Sequence, residues 1–224
     1  IDRIGIISSA HAALDEDEMS FYVVAFSKQN NNSLLWAEFT DFRGYCLEFD
    51  YEKIVEGFRH RVFLHGTVIY DEEEQMNGLL ESLLSCIHSL VEKGAKDLQG
   101  FFEEDAIPSE ESLNQLVDAM AVVCSVYTMF FKKSYFAGEE EYRFIFPPLH
   151  YEKGQDRPQF RLLDQIFLPY IMVELETEQQ EIPLQSVMVG AKNNSDIAVR
   201  GMKYFLKTQG LDIPVLLSDI PLRY

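Results

Sequence analysis

A run of apolar, β-branched and aromatic residues stands near the start of the chain. Residues 21–26 read F-Y-V-V-A-F, which predicts a buried strand that ends at Ser27. Residues 45–49 predict a second strand, in which Glu48 falls on the opposite face from the apolar residues on either side of it. Two such strands indicate a sheet that begins early in the chain.

A short helix is predicted between these strands. Ser33 is placed to cap its first turn, Trp36 belongs to its apolar body, and Gly44 suits the left-handed conformation that ends a helix. The strand, helix and second strand could together place Ser27, Trp36 and Glu48 around the opening of one pocket. The alternative is a packed supersecondary unit, since a lone tryptophan is usually part of a core.

Helical spacing replaces strand spacing in the middle of the chain. Asp71, followed by three glutamates, opens a run of apolar residues that recur at helical spacing up to residue 91. Ser109 opens a second such run, which continues to residue 131. The pattern predicts helices over residues 71–93 and 109–133, inserted between strands as an antiparallel pair. We expect each helix to cover one side of a sheet and to bury its apolar stripe.

A charged pair on an otherwise apolar strand is the best candidate for chemistry. In the strand predicted over residues 139–146, alternation places Glu141 and Arg143 on one face. The guanidinium of an arginine suits bidentate recognition of a phosphate or carboxylate, and it also pairs with a neighbouring carboxylate. Two interpretations therefore stay open, a ligand site and a structural ion pair.

The last part of the chain predicts a β-α-β unit. Residues 184–189 and 213–217 have strand patterns and residues 195–207 a helical one, so the two strands should be parallel neighbours. The loop that leaves the first strand, with Gly190 and Lys192, lies where a helix N-terminus favours an anion. The loop matches neither the Walker loop nor the Gly-x-Gly-x-x-Gly fingerprint of phosphate-binding sites, and an ordinary turn is the alternative.

These patterns together predict an α+β fold: a central mixed sheet with two long inserted helices and a C-terminal β-α-β unit. We expect one domain over residues 1–224, with a helical insertion at about residues 71–133. Residues 1–13 are small and apolar and are expected to be the tail of a helix.

Composition and charge exclude several classes of function. The 224 residues are 47% hydrophobic and 25% charged, and no apolar run approaches the roughly 20 residues that span a bilayer. The formal charge of −18 argues against binding to a nucleic-acid backbone or an anionic membrane. The sequence has no positively charged segment followed by an apolar one, so we see no signal peptide. We expect a cytoplasmic protein.

The cysteines and histidines predict no metal site. Cys46, Cys86 and Cys124 lie in apolar periodic segments, and none has the CxxC spacing of a zinc or redox site. We expect them to be buried free thiols, as is usual in a reducing compartment.

Five short motifs occur in a fixed order along the chain. They are Phe26-Ser27, Leu35-Trp36, Gly44-Tyr45-Cys46-Leu47-Glu48-Phe49, Glu139-Glu140-Glu141-Tyr142-Arg143, and Val187-Met188-Val189-Gly190 followed by Ser218 and Arg223. In this order they resemble a family of uncharacterised bacterial proteins, domain of unknown function family 2971. The family's N-terminal part, a tyrosine-rich first strand and an Asn-Asp-Pro turn, has no match in this sequence, so we expect the chain to lack an N-terminal segment.

The resemblance implies a function by analogy. The motif order of the family looks like that of the ADP-ribosyltransferase superfamily, in which a serine supports the nicotinamide pocket and a later glutamate stabilises the oxocarbenium forming on the ribose. Carried over, Ser27 would support the pocket, Glu141 would be the catalytic residue and NAD the cofactor. The implied protein is a nucleotide-handling, NAD-dependent transferase of bacterial stress or phage defence.

The alternative is a non-catalytic interaction or ligand-sensing module, in which the same residues build the fold. Beside the catalytic candidate Glu141, the ligand-binding candidates are Ser27, Trp36, Glu48, Arg143, Gly190, Lys192, Ser218 and Arg223. A small nucleotide is the expected ligand, while the residues identify no protein partner. Burial separates the two hypotheses: an open cleft shared by these side chains favours the enzyme, and burial in paired contacts favours the module.

Overall fold

The computed structural model describes residues 3–8, 21–103, 107–147, 159–163, 165–176, 182–193 and 195–221. The chain divides into a first unit, formed by Ile1–Thr67 with Gly138–Tyr224, and a second unit, formed by Val68–Ala137. The second unit contains the segment that the sequence predicts to be a helical insertion.

Two long helices occupy the middle of the chain, and strands lie on both sides of them. In chain order the elements are β1 (Arg3–Ser8), β2 (Tyr22–Ser27), α1 (Ser33–Thr40), β3 (Tyr45–Asp50), α2 (Tyr51–Phe58), β4 (Leu64–Thr67), α3 (Glu72–Glu92), α4 (Glu110–Thr128), β5 (Glu141–Phe146), β6 (Gln159–Leu163), β7 (Ile166–Tyr170), β8 (Leu184–Val189), α5 (Ser195–Thr208) and β9 (Val215–Leu217). Short 3₁₀ turns occur at Lys96–Leu98 and Ser134–Glu139. The predicted α+β class is confirmed.

Seven strands of the first unit form one sheet, in the order β4-β5-β2-β1-β3-β8-β9. The neighbouring pairs are antiparallel except the last, in which β8 and β9 run parallel and are joined through α5. The strands β6 and β7 form a separate antiparallel hairpin. Arg3–Ser8 was expected to belong to a helix and is a strand instead, because it pairs with β2 on one side and β3 on the other.

The core of the first unit packs on one face of β5. Phe144 and Phe146 are buried there and lie edge to face with the ring of Phe58, at centroid distances of 5.3 and 5.1 Å. Because side chains alternate along a strand, Glu141 and Arg143 lie on the opposite face of β5. The aromatic core and the charged pair therefore occupy opposite faces of the same strand.

The ends of the helix α1 differ from the prediction. Asn32 caps the helix instead of Ser33, and its Oδ1 accepts hydrogen bonds from the amides of Leu34 and Leu35, at 2.9 and 3.4 Å. The helix stops at Asp41, which takes the left-handed conformation (φ 50°), whereas Gly44 (φ 77°) lies beyond it and leads into β3. At both ends, two nearby residues had suitable chemistry and the sequence pattern favoured the wrong one.

The two predicted long helices are confirmed as α3 and α4, although α4 ends at Thr128 rather than near residue 133. Their caps are as predicted. The Asp71 carboxylate accepts from the Glu74 amide at 2.8 Å, and the Ser109 hydroxyl accepts from the Ser112 amide at 3.2 Å.

The predicted burial of the apolar stripes is only partly correct. Ile87 and Leu116 are buried together with Leu98 in one cluster of the second unit. The exposed members of the stripes are Met76, Leu80, Leu84, Leu113 and Val117. The helical period identifies which residues share a face, but it does not reveal whether another element covers that face.

Candidate functional site

Four consecutive amide side chains connect β2 to α1. They are Gln29, Asn30, Asn31 and Asn32, and we call residues 29–32 the amide loop. An amide side chain both donates and accepts hydrogen bonds, and these four bond to different parts of the first unit. Gln29 Nε2 donates to the Glu140 carboxylate, while Asn32 Nδ2 donates to the Gly138 carbonyl oxygen. The amide loop is therefore tied to the chain that enters β5.

Asn31 joins the indole of Trp36 to the residues that follow β9. Its Oδ1 accepts from Trp36 Nε1 at 3.0 Å and from Ser218 Oγ at 2.8 Å. Its Nδ2 donates to Asp219 Oδ1 at 2.6 Å. Two of the predicted site residues, Trp36 and Ser218, are thus brought to one side-chain amide from opposite ends of the chain.

Glu48 is buried on β3 and its carboxylate is held by hydrogen bonds. The Oε2 atom accepts from Ser186 Oγ at 2.6 Å and from Asn30 Nδ2 at 3.1 Å. The β3–β8 register shifts between Glu48 and Phe49, an irregularity of the kind that re-aims a side chain. The position of Glu48 therefore orients Asn30 of the amide loop.

Ser27, Glu141 and Arg143 lie together on adjacent strands of the sheet. Ser27 is directly opposite Glu141 in the β2–β5 register, and Arg143 Nε donates to Glu141 Oε2 at 2.7 Å. Ser27 is fully buried, and the side chains of Glu141 and Arg143 are only 4% and 16% exposed. The ion pair, one of the two interpretations that strand alternation left open, is present and forms in a buried contact.

The loop after β8 packs against the turn that precedes β3. The Gly190 amide donates to the Gly44 carbonyl oxygen at 3.0 Å, and the Lys192 amide donates to that of Phe42 at 2.9 Å. The Lys192 ammonium pairs with the Asp41 carboxylate, and this hydrogen bond holds the pKa of Asp41 below its usual range. These amides, considered for an anion, are engaged within the protein, as in an ordinary turn.

A cavity of about 240 Å³ opens between α1, β3 and the amide loop. Its polar lining comes from Gln29, Asn30 and Asn32, and its aromatic lining from Trp36, Phe39 and Tyr45. Of the predicted site residues, Trp36 lines this cavity. Glu48 and Ser218 reach it indirectly, through the amide loop. Arg223 lies outside the described residues.

The amide loop, Phe39 and Tyr45 were not predicted as site residues. The run Q-N-N-N between a strand and a helix was interpreted only as a polar loop, although four amides in a row are a detectable signal. Their partners could not be inferred, because Glu140 and Ser218 are far away in sequence from the amides they contact.

Metal ligation finds no support in the part of the chain that the structure describes. There, no group of three or more His, Cys, Asp or Glu side chains is arranged to hold a metal ion. Among the described helices, none combines the length and the apolar character required to cross a bilayer.

The predicted burial of the thiols is wrong for Cys124, which is exposed, while Cys46 and Cys86 are half-buried and none of the three is in a disulfide. Cys46 lines the cavity. Burial, and then the nearby Glu48 carboxylate, raise the pKa of the Cys46 thiol to about 11. The Cys46 side chain therefore stays a neutral thiol at ordinary pH.

Alkylation should distinguish these cysteines. At about pH 9, iodoacetamide should modify the exposed Cys124 first and leave Cys46 largely unmodified, because the thiolate is the reactive form. Peptide mass spectrometry of a time course would measure both rates, and the urea-unfolded protein gives the reference for full reactivity. Equal rates at the two sites in the folded protein would contradict the environment described for Cys46.

Comparison with known proteins identifies a family. The sequence model of a protein family described as 'protein of unknown function (DUF2971)' matches residues 35–144. This range includes most of α1, all of β3 and the Glu141–Arg143 pair. No curated protein and no solved structure matches the chain. The resemblance inferred from the sequence motifs is therefore confirmed: residues 35–144 of the chain are similar to the DUF2971 family.

Proposed function

We propose that this protein is a ligand-sensing module for a small, uncharged ring compound that carries N–H donors, of the nucleobase or nicotinamide class. The ligand would occupy the cavity between α1, β3 and the amide loop. One observation carries the proposal: amide side chains and aromatic rings line the same small cavity.

The aromatic side chains supply a stacking surface. Phe39 and Tyr45 are about half exposed at the cavity, and Trp36 is buried beside them. Stacking of a planar base on an aromatic side chain is worth about 1–3 kcal/mol per base. A planar ring is therefore the ligand shape that this wall favours.

The amide oxygens supply polar recognition. Gln29 Nε2 donates to Glu140 and Asn30 Nδ2 donates to Glu48, which fixes the orientation of both amides. Among the described residues, Gln29 Oε1 and Asn30 Oδ1 accept no hydrogen bond. Ligand N–H groups, such as an exocyclic amine or a carboxamide, would satisfy these acceptors.

Charge and size narrow the ligand class further. The described lining includes no lysine or arginine and the formal charge of the protein is −18, so a phosphate group gains no attraction in this cavity. A cavity of about 240 Å³ is smaller than the roughly 300–1,000 Å³ of pockets for drug-sized ligands. A single ring system fits these limits better than a whole dinucleotide.

Burial favours the module over the transferase. A catalytic carboxylate must reach the substrate, yet Glu141 is buried, bonded to Arg143 and outside the cavity lining. Ser27 is also fully buried and outside that lining. In this arrangement the three side chains support the sheet on which the cavity is built.

The NAD-dependent transferase is a second candidate, and one observation favours it. Ser27 and Glu141 are direct neighbours across β2 and β5, the proximity that the analogy with ADP-ribosyltransferases implies. To act as the catalytic residue, the Glu141 carboxylate would have to break its hydrogen bond with Arg143 and contact the substrate instead. The loss of activity and the loss of stability in a Glu141 variant distinguish the two candidates.

The fluorescence of Trp36, the only tryptophan of the chain, provides a direct test of the module. Adenosine and nicotinamide would be titrated separately into the wild-type protein. At least one of the two compounds should quench the Trp36 emission, because the indole lines the cavity. Replacing Phe39→Ala should weaken the binding about tenfold, since it removes one stacking face.

Phe205→Ala is the matched control. Phe205 is exposed to 54% on α5 and Phe39 to 52% on α1, so both changes remove an exposed helical phenylalanine. The control variant should bind like the wild type. No saturable quenching with either compound, or equal affinities for Phe39→Ala and the wild type, would refute the proposed site.

A further inference from the structure

The second unit carries an apolar surface on an antiparallel pair of helices. Near one end of the pair, the Tyr127 hydroxyl donates to the Gly78 carbonyl oxygen at 3.1 Å. Towards the other end, Ile87 of α3 and Leu116 of α4 belong to one buried cluster. Contacts between early α3 and late α4, and between late α3 and early α4, make the helices antiparallel.

Exposed apolar side chains extend this buried cluster to the surface. They are Met76, Leu80 and Leu84 on α3, and Leu113 and Val117 on α4, and we call these five residues the docking face. Their side chains are between 38% and 64% exposed. Leu84 lies one helical turn before Ile87, and Leu113 one turn before Leu116, so they adjoin the cluster at helical spacing.

Within the two helices of the docking face, the permanently charged side chains are all acidic. Within α3 and α4 there is no lysine or arginine, whereas α3 contains five glutamates and α4 two glutamates and one aspartate. Lys133, after α4, comes within 3.9 Å of Glu72, in an exposed contact. Both helices therefore present acids around an apolar stripe.

This charge decides among the classes of occupant. A second copy of the chain would bring its own acidic helices against these acids, and an anionic lipid surface would be repelled by them. A basic partner gains both the apolar contact and the attraction. Two antiparallel helices with a stripe between them also suit the binding of a third helix by its apolar face.

We infer that the docking face binds a basic amphipathic helix of a partner protein. The leucine or isoleucine side of such a helix would lie on Leu80, Leu84 and Val117. Its lysines and arginines would lie towards the glutamates of α3 and α4. The surface is distinct from the cavity of the first unit, so this inference stands or falls independently of the proposed ligand.

A pair of synthetic peptides tests the inference on the full chain. The first is a fluorescein-labelled helix of about 18 residues, five turns, with leucines at i, i+3, i+4 and i+7 and lysines elsewhere. The second replaces the lysines with glutamates. Fluorescence anisotropy should show saturable binding of the lysine peptide, weaker as salt is added, and none of the glutamate peptide.

Two valines of α4 give a matched pair of variants. Val117 of the docking face is 64% exposed, and Val122, which is 66% exposed, lies on another side of the same helix. Val117→Gln should weaken the binding of the lysine peptide about tenfold, because it removes buried apolar contact. Val122→Gln should leave the affinity unchanged, and circular dichroism would verify that both variants keep their helices.

Three results would overturn the inference. The first is equal weakening by Val117→Gln and Val122→Gln, which would indicate non-specific attraction to an acidic surface. The second is equal binding of the glutamate peptide. The third is a wild-type dimer in sedimentation that Val117→Gln dissociates, which would assign the docking face to a second copy of the chain.

Discussion

Replacing Glu141 with Gln is expected to lower the free energy of unfolding by about 3–5 kcal/mol, the range observed when one partner of a buried ion pair is removed. The Glu141 carboxylate accepts from Arg143 Nε at 2.7 Å, and its side chain is 4% exposed. The amide of glutamine keeps the shape of the side chain but removes the negative charge that pairs with the Arg143 guanidinium in a poorly solvated place. A thermal melt should show the melting temperature lowered by about 6–20 °C for a chain of this length.

A second glutamate–arginine pair provides the control. Glu56 and Arg59 are 3.1 Å apart on α2 and its C-cap, with more than half of each side chain exposed. Exposed ion pairs contribute about 0.2–1 kcal/mol to stability, so Glu56→Gln should change the melting temperature very little. The double variant Glu141→Gln/Arg143→Met removes both charges and should recover part of the lost stability.

The same variant separates the two candidate functions. If Glu141 were catalytic, its charge would act mainly in the transition state, and Glu141→Gln would abolish nicotinamide release from NAD without changing the melt. A melting temperature close to that of the wild type, together with that loss of turnover, would refute the structural role and favour the transferase. A large decrease in melting temperature, with no turnover in the wild type, favours the module.

The fold class could be predicted because local signals agreed with each other. The acids after Asp71 and Ser109 have the chemistry of helix starts, and the apolar period that follows is unambiguous over five turns. The strand Arg3–Ser8 could not be predicted in the same way. Its apolar residues suit a helix or a strand, and only pairing with β2 and β3 decides between them.

In the candidate site, too, features set by local rules could be predicted and features set by long-range contacts could not. The pairing of Glu141 with Arg143 follows from alternation along one strand, a local rule. The cavity depends on the amide loop, whose side chains bond to Glu140, Glu48 and Ser218 on three separate elements. Nothing within the loop specifies those partners, since an asparagine can donate to or accept from almost any polar group. The sequence therefore predicted Trp36 as a site residue but not the amide loop that lines the cavity with it.

Gly190→Ala is the change expected to disturb this assembly most directly. A methyl group at Gly190 would lie 2.6 Å from the Phe42 carbonyl oxygen and 3.0 Å from the Arg43 carbonyl carbon. Both are backbone atoms, so the strand β3 or the loop must move, and overpacking of this kind costs about 1–3 kcal/mol. The Gly190 amide also donates to Gly44 at 3.0 Å, immediately before Tyr45 of the cavity.

A shift at Gly44 is therefore expected to reach the ligand site. Gly190→Ala should lower the melting temperature by several degrees and weaken the quenching of Trp36 by the bound ring compound, since Tyr45 forms part of its wall. Gly201→Ala on α5 is the matched control. Its added methyl group meets no atom within 4 Å apart from its chain neighbours and the backbone of its own helix, and alanine favours a helix by up to about 1 kcal/mol. That variant should be as stable as the wild type or more so, with unchanged quenching. If Gly190→Ala also melted and bound like the wild type, the close packing of the loop after β8 against the start of β3 would be incorrect, and with it the wall of the cavity.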